Sequence, residues 1–455
     1  MGFQSVFPPA WENANFNYEA EEEYRNRQLK KLLDEVTEEN ADEWLSVLTR
    51  CAQTESMDLA TFPSFSRFLN DLGRTKPHIL ITYLNRLDDR LAGFLHVMLL
   101  GLEGGPEEDT AQGKIRHWID VRQYLPQVIR YQQYASNFDA DLLERALKAS
   151  IEADDDDAVF NAIRTSAVRH GDVAGGLIEK VFLPGIAFLT AKGESRWVNV
   201  LRPYQQTKLL VQDLNSEQAD QVLSSLIVHP QIDYHIEEVL ASIAASWPQK
   251  LVDFFGSRLE VDSKPADEEL KRYEAIPFQF HRLQEELAKI QEYLVEKARS
   301  WFKKEKAFFQ YRGGQVLSNT FPILPPEFEC ILRRLVDGRD RDDLELVVSI
   351  LRTYEGKPFI IDLCKEIVAI LPPEDTLLNE IEIALTYTTG IVTGEFGFVE
   401  SYKRKKTEIE NWLSDPRENV QLFARSLILS MDRQIASEQR RAEEDLEMRK
   451  REYGE

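Results

Sequence analysis

The chain has 455 residues, of which 43% are hydrophobic and 29% are charged, and 78 acidic against 55 basic side chains leave a formal net charge of -23. Single hydrophobic cores stop growing near about 250–300 residues, so this length predicts several domains or one extended repeat array. The negative charge argues against nonspecific binding to nucleic acid and to anionic membranes, because both rely on lysine and arginine.

Compartment signals are few. No apolar run reaches the roughly 18 residues of a membrane-spanning helix, and the N-terminus lacks the pattern of a signal peptide. Cys51, Cys330 and Cys364 form no CxxC pair. Cys330 and Cys364 lie among apolar residues, which predicts buried, reduced thiols. We therefore expect a cytoplasmic protein that does not associate with membranes.

Helical spacing of apolar residues dominates the chain from Glu19 onward. The acidic residues Asp42, Asp157 and the pair Asp342–Asp343 are predicted to cap helices. No sustained alternating run predicts a strand, so the expected fold class is all-α. Helices are predicted over 21–36, 41–53, 63–73, 77–88, 90–103, 139–150, 157–169, 173–192, 217–228, 233–246, 248–259, 279–302, 326–336, 342–354, 357–371, 374–389, 395–413 and 416–450.

A repeated pattern of helix, short break and proline-initiated helix indicates the architecture. Within 68–87 and 239–259, residues from Leu69 to Leu84 match those from Leu240 to Phe255 without a gap, and Pro77 matches Pro248. A third copy, with two inserted residues, covers 347–371. Proline suits a first helical turn because its missing amide would be unpaired there. Helix pairs of this kind bury their apolar faces by stacking on their neighbours, which predicts an α-solenoid.

The repeats over about 60–370 resemble those of HEAT-like proteins. Polar or irregular stretches interrupt them at 103–114, 260–268 and 311–328. The predicted divisions are an irregular aromatic N-terminal arm (1–18), N-terminal helical repeats (19–260), a long helix with an irregular insertion (261–325), C-terminal helical repeats (326–430) and a charged projecting helix (431–455).

Motifs for catalysis, metals or nucleotides are not found in the sequence. The glycine clusters match neither a phosphate loop nor a dinucleotide fingerprint, and no HExxH or GxSxG occurs. His229 and His235 are six residues apart, a spacing that fits the end of one helix and the start of the next better than a metal site. His281 precedes Glu285 and Glu286 on a predicted helix, where a solvated face is the simpler interpretation. We expect no enzyme activity and no cofactor.

Aromatic residues beside cations occur in two segments, WFKKEKAFFQYR (301–312) and GEFGF with YKRKK (394–398 and 402–406). Hot spots of protein interfaces favour aromatic residues and arginine, so these segments predict a binding surface. The simpler interpretation is that the aromatic side chains are core and the cations solvated. The candidate residues are Phe308, Phe309, Tyr311, Arg312, Phe396, Phe398, Tyr402, Lys403 and Arg404.

The degenerate repeats, the GEFGF turn and the charged tail at 437–455 together resemble helical-repeat regions of large bacterial proteins, some of them sensor or scaffold regions in anti-phage defence. This resemblance implies a non-catalytic scaffold or recognition subunit with a protein partner. The alternative is a solenoid that binds nucleic acid, which would align Lys303, Lys304 and Arg312 along one positive groove.

Overall fold

A computed structural model describes residues 17–53, 62–172, 176–201, 210–262, 273–306, 309, 314–323, 325–354, 358–386, 394 and 396–453. Helices make up most of these residues, and no strand occurs among them, which confirms the all-α prediction. No helix in these ranges is both long and apolar enough to cross a membrane. The predicted arm lies outside them apart from Asn17, which caps the first helix, and Tyr18, which begins it.

The chain separates into two compact units, an N-terminal unit (Met1–Val228) and a C-terminal unit (His229–Glu455), a division that the sequence analysis did not draw. The α-helices of the N-terminal unit are α1 (Tyr18–Glu35), α2 (Ala41–Cys51), α3 (Pro63–Thr75), α4 (Pro77–Asn85), α5 (Asp89–Ala92), α6 (Leu95–Leu102), α7 (Glu108–Asp120), α8 (Leu125–Tyr134), α9 (Ala140–Glu152), α10 (Asp156–Arg169), α11 (Leu183–Ala191) and α12 (Ser216–Leu226).

The C-terminal unit begins within the loop between α12 and the next helix. Its α-helices are α13 (Tyr234–Ser246), α14 (Pro248–Asp262), α15 (Gln284–Ala288), α16 (Gln291–Lys304), α17 (Gly314–Thr320), α18 (Pro326–Asp337), α19 (Arg341–Arg352), α20 (Pro358–Ile370), α21 (Leu377–Thr386), α22 (Gly397–Glu410) and α23 (Glu418–Tyr453).

The predicted helix–proline–helix pattern is confirmed at the level of local structure. Lys76 separates α3 from α4, and Trp247 separates α13 from α14, in nearly the same backbone conformation (φ/ψ -134°/57° and -139°/67°). The amide of each donates to the carbonyl four residues earlier, in Leu72 and Ile243 respectively. The third copy forms α19 and α20, the latter starting at Pro358.

Helices pack against their next-but-one neighbours in both units. In the N-terminal unit α6 packs on α8 and α8 on α10, and in the C-terminal unit α17 packs on α19 and α19 on α21. Several hydrogen-bonded ion pairs between helices join residues 39–44 positions apart. In the N-terminal unit, Arg86 binds Asp42, Lys180 binds Asp141 and Arg196 binds Asp157, over separations of 44, 39 and 39 residues. In the C-terminal unit, Arg299 binds Asp343, Lys304 binds Glu260 and Arg334 binds Glu292, over separations of 44, 44 and 42 residues.

Several local predictions are wrong. The stretches 103–114 and 311–328 are not irregular throughout, because α7 begins at Glu108 and α17 spans Gly314–Thr320. The sequence analysis also missed α8, which starts after Tyr124 in the left-handed region and places Pro126 in its first turn. The cap of α10 is Asp155 rather than Asp157. Cys330 is exposed, whereas Cys364 is buried and burial raises the pKa of its thiol.

Two further predicted caps are displaced by a residue or more. Asn40, not Asp42, precedes α2, and Asp42 instead pairs with Arg86. The cap of α19 is Asp340, whose carboxylate accepts from the amide of Asp343. Asp343 is buried and binds Arg299, so its role is to connect α19 with α16.

The predicted helix 279–302 is confirmed only in part, because helical structure begins at α15 and is interrupted between α15 and α16. The preceding irregular segment, 273–283, is held in the core by Arg258, whose side chain is fully buried. Its guanidinium donates to the carbonyls of His229, Glu274 and Ala275 at 2.6–2.9 Å. The guanidinium also lies 4.6 Å from the ring centre of Tyr273. Buried carbonyls need such donors, so Arg258 replaces the hydrogen bonds that a helix would have provided.

His96 on α6 makes stability depend on pH in the N-terminal unit. The ring is 5% exposed and its Nδ1 has no hydrogen-bond partner. Burial and then the charge of Arg130 lower the His96 pKa from 6.5 to about 4, against a hydrogen bond to the Gly93 backbone. The unfolded chain therefore binds the proton first, so stability falls as pH decreases from 6.5 towards 4.

We expect His96 to cost about 2 kcal/mol of stability at pH 5, relative to pH 7. Urea unfolding at the two pH values, followed by circular dichroism, measures this loss. The His96→Leu variant should not show this loss of stability, whereas the His117→Gln variant, which replaces an exposed histidine of α7, should still show it. Equal pH dependence in the His96→Leu variant and the unmodified protein would show that His96 is not the cause.

Candidate protein-binding surface

The predicted surface residues at the start of α22 are at least partly accessible. Phe396 and Phe398 are 36% and 52% exposed. Tyr402 is half-buried, and Lys403 and Arg404 are exposed. Burial and then the charge of Glu438 on α23 raise the Tyr402 pKa. The structure thus brings these five residues together on one helix and its N-cap.

They do not share one face of that helix. Phe398 and Tyr402 are four residues apart and follow the same stripe as Ile409, which is buried. Lys403 and Arg404 lie on the opposite side with Glu400, which forms an ion pair with Lys403 at 3.1 Å. Aromatic and cationic side chains therefore face in different directions, and a single partner surface would contact one set or the other.

Of the other four candidates, the structure describes only Phe309. Phe309 is 1% exposed and packs edge-on against Phe302, with ring centres 5.6 Å apart. It belongs to the core, in agreement with the simpler interpretation of this segment. Phe308, Tyr311 and Arg312 lie outside the described residues.

Cations of the same segment are matched by carboxylates from neighbouring helices. Lys304 lies 2.7 Å from Glu260, and Lys306 binds Asp342 and Glu345. Lys303 is exposed. Among the described residues, this segment therefore offers alternating charge instead of a continuous positive groove.

The charged C-terminal segment is part of a helical hairpin. α23 runs without interruption from Glu418 to Tyr453 and packs against α22. Lys406 lies 2.7 Å from Asp432, and Ala442 is 8% exposed. The predicted projecting helix at 431–455 is thus anchored as far as Ala442, and exposure dominates from 443 to 449. The neighbouring Lys405 is buried and donates to the carbonyl of Thr386, at the end of α21.

A groove in the C-terminal unit lies between α20, α21 and α23 and is lined by both apolar and polar side chains. Its volume is about 350 Å³. The floor contains Val368, Leu371 and Leu427, which are each less than 5% exposed. The rim carries Leu422, which is 43% exposed. The full lining is Val368, Leu371, Pro373, Glu374, Asp375, Thr376, Leu378, Asn379, Glu382, Asn419, Leu422, Phe423, Ser426 and Leu427.

Hydrogen bonds fix the two ends of this groove. At one end the amide of Asn419 donates to the carbonyl of Leu371 at 2.9 Å. At the other end the hydroxyl of Ser430 donates to Glu382 at 2.8 Å. Both bonds connect α23 to the opposite wall, so the groove has a defined width. Leu429, which is 53% exposed, lies beside Ser430 and extends the apolar rim beyond the groove.

The charges in the lining are all carboxylates. Arg341 binds both oxygens of Asp375 at 2.6–2.7 Å. The pKa of Asp375 is lowered, because these hydrogen bonds outweigh its partial burial. Glu374 is exposed and Glu382 accepts the neutral Ser430 hydroxyl. Two carboxylates of the α21 side of the groove therefore keep an uncompensated negative charge among the described residues.

The sequence analysis missed this groove, although some signal was present. Leu422, Ser426 and Leu429 are spaced by four and three residues, which places them on one helical face. The same helix carries a second apolar face, with Val420, Ala424 and Met431, that is buried. A helix with two apolar faces either packs both faces into the core or packs one face into the core and presents the other to a binding partner. Only the packing of α20 and α21 decides between them.

The histidine predictions have mixed outcomes. His235 lies in the first turn of α13, as predicted, and its amide donates to the cap residue Asp233. His281 is not on a helix, and its amide donates to the buried carboxylate of Glu237. No set of three or more histidine, cysteine or acidic side chains in the described ranges has the geometry of a metal site.

No family model, no curated protein and no solved structure matches this chain. The likeness to HEAT-type repeats and to defence proteins therefore stays a prediction made from the sequence.

Proposed function

We propose that this chain is a non-catalytic, protein-binding scaffold or recognition subunit whose helix pairs stack as an α-solenoid. The observation that supports protein binding best is the open groove between α20, α21 and α23. Its floor is apolar, and Leu422 on its rim is exposed. Protein interfaces surround a buried apolar centre with a polar rim, and the acidic and amide side chains of this groove provide such a rim.

Support for stacked repeats comes from the ion pairs within each unit. Several of these pairs, such as Lys180 with Asp141 and Arg299 with Asp343, join residues 39–44 positions apart, which is close to the roughly 40–47 residues of HEAT and armadillo repeats. Next-but-one packing of helices within each unit is the pattern that stacked helix pairs produce. Such proteins bind along surfaces built by successive helices, in keeping with a groove formed by three of them. The resemblance to bacterial defence proteins suggests a larger cytoplasmic assembly as the setting.

The nucleic-acid alternative has less support. It requires cations aligned in one groove, whereas Lys304 and Lys306 are paired with carboxylates of adjacent helices. Single-stranded nucleic acid also needs accessible aromatic rings beside the cations. Phe302 and Phe309, which flank these lysines in the sequence, are both buried. A protein partner fits the arrangement of charges better.

Affinity capture tests the proposed function. The immobilised full-length chain is expected to retain a protein partner from an extract of its source cells. The double variant Leu422→Asp with Leu429→Asp should lose most of that partner, because both side chains are exposed on one face of α23. Quantitative mass spectrometry of the eluates gives the ratio of bound partner, and circular dichroism verifies that each variant is folded.

Val121→Asp provides a matched control, since Val121 is 46% exposed and lies in the other unit. This variant should capture as much partner as the unmodified chain. Phe398→Ala tests whether the start of α22 belongs to the same binding surface. Capture of no protein by any form of the chain, or equal capture by all of them, would contradict a scaffold that binds through this groove.

A further inference from the structure

The chemistry of the groove identifies a class of partner, and this inference rests on the proposed function. We propose that the groove binds an amphipathic helix with leucine-like side chains on one face and lysine or arginine along one flank. Helices that bind in grooves insert side chains from positions i, i+3, i+4 and i+7. Two features of the groove support this class of ligand, namely the accessible leucines Leu378 and Leu422 on its two sides and the position of its carboxylates.

The walls have the periodicity that a helical ligand needs. Asn419, Leu422, Phe423 and Ser426 repeat at three and four residues along α23. Leu378, Asn379 and Glu382 do the same along α21. Helix surfaces with these spacings present ridges and grooves into which a third helix packs. A helix between α21 and α23 would cover Leu422, which otherwise remains 43% exposed.

The carboxylates define which flank of the ligand is cationic. Glu374 and Glu382 lie on the α20–α21 side, and neither is paired with a lysine or arginine among the described residues. Asp375 is already neutralised by Arg341. On the opposite side, Arg425 is exposed on α23 beside Ser426. A bound helix would thus place its cations against α21 and keep cations away from Arg425.

The accessibility of the groove favours a peptide over a small molecule. Ligand pockets typically bury about 70–90% of a small molecule, in cavities of roughly 300–1,000 Å³. The volume of this groove, about 350 Å³, is at the lower end of that range, and Leu422 on its rim is exposed to solvent. A volume of this size accommodates two or three aliphatic side chains of a longer ligand that extends beyond it.

A synthetic peptide serves as the probe. It has about 18 residues, or five helical turns, with leucine at the four anchor spacings and lysine along one flank. Fluorescence anisotropy with the full-length chain should give a micromolar dissociation constant. A scrambled peptide of the same composition should bind at least about tenfold more weakly, because its charge is unchanged but its apolar face is lost. A glutamate-for-lysine version should not bind measurably.

Variants of the chain locate the site. Leu422→Asp should weaken binding of the lysine peptide by about tenfold or more. Ser426→Arg should do the same by adding bulk and positive charge at an exposed position that requires no core rearrangement. Arg425→Glu should strengthen binding. Glu374→Lys should weaken binding, whereas Glu408→Lys, at an exposed site on α22, and Val121→Asp should have no effect.

Different results would reject the helical ligand and the scaffold function. Equal affinity for the ordered and scrambled peptides would show that the net charge of the chain alone attracts the probe, and the helical ligand would be rejected. Wild-type affinity in both Leu422→Asp and Ser426→Arg would reject the groove as the peptide site. Capture of a protein partner that still depends on Leu422 and Leu429 would leave the scaffold function intact in either case.

Discussion

Replacing Arg258 with leucine is expected to destabilise the C-terminal unit by about 3–5 kcal/mol. The side chain is fully buried and donates to three backbone carbonyls. Leucine would leave these carbonyls, one of them buried and two partly buried, without their donor. Each buried polar group left unsatisfied costs about 1–3 kcal/mol.

The loss should be local as well as large. Arg258 connects α14 to the irregular segment at 273–283, whose Ala275, Ile276 and Phe280 are each no more than 1% exposed. Release of this segment would expose those residues and remove the support for α15. Hydrogen exchange with peptide-level resolution should therefore show faster exchange over 273–288 in Arg258→Leu, even at temperatures where the rest of the chain stays folded.

Two control variants make this prediction specific. Arg258→Lys keeps the positive charge, but one ammonium group cannot reproduce the planar arrangement of donors, so most of the loss should remain. Arg433→Ala removes an exposed arginine from α23 and should change stability by less than about 0.5 kcal/mol. Urea unfolding monitored by circular dichroism measures all three variants. A loss for Arg258→Leu no greater than that for Arg433→Ala would contradict the proposed role.

Gly101→Ala is expected to destabilise the N-terminal unit by about 3 kcal/mol or more, because it adds a methyl group where two backbones touch. A Cβ atom at Gly101 on α6 would lie 2.3 Å from the carbonyl oxygen of Asn70 on α3. A Cβ at Gly73 would lie 2.8 Å from the carbonyl carbon of Gly101. No rotamer change relieves a clash with main-chain atoms, so α3 and α6 would have to separate.

The same contact is reinforced by a hydrogen bond from the Asn70 side chain to the carbonyl of Val97, at 3.1 Å. Separation of the helices would therefore cost this bond as well as apolar packing. Thermal unfolding of Gly101→Ala should show a lower midpoint for the N-terminal unit. Introducing the larger serine at Gly101 should lower it at least as much.

Gly113→Ala is the matched control for this effect. Gly113 also lies within a helix, α7, but a Cβ there would have no neighbour within 4 Å. Alanine has the higher helix propensity, so this change should stabilise the unit by about 0.5–1 kcal/mol. A loss of stability in Gly101→Ala together with a gain in Gly113→Ala would confirm that the contact between the two backbones causes the loss at Gly101. Similar small effects at both positions would mean that α3 and α6 can adjust.

Local features were largely readable from the amino-acid sequence. The 3.6-residue spacing of apolar side chains predicted most of the helices, because a helix buries one stripe whatever it packs against. Proline at the start of α4, α14 and α20 predicted three breaks, because the fixed φ angle and the missing amide act within a single turn. The missed α7 and the irregular segment at 273–283 show the limit of such signals. The polar composition of α7 conceals its period, and the apolar residues at 273–283 are buried without a helix.

Tertiary structure alone decided which residues share a surface. The two segments with aromatic and cationic residues have similar sequence patterns, yet their residues have different surroundings. Phe309 lies in the core, Phe398 is exposed, and Lys403 faces solvent and pairs with Glu400. The groove likewise combines residues 368–382 with residues 419–427, which become neighbours only when α23 packs on α20 and α21. The periodicity of one helix gives the direction of each side chain about its own axis. It does not show which helix packs against that side chain, because the packing partner comes from a part of the chain that is tens of residues away.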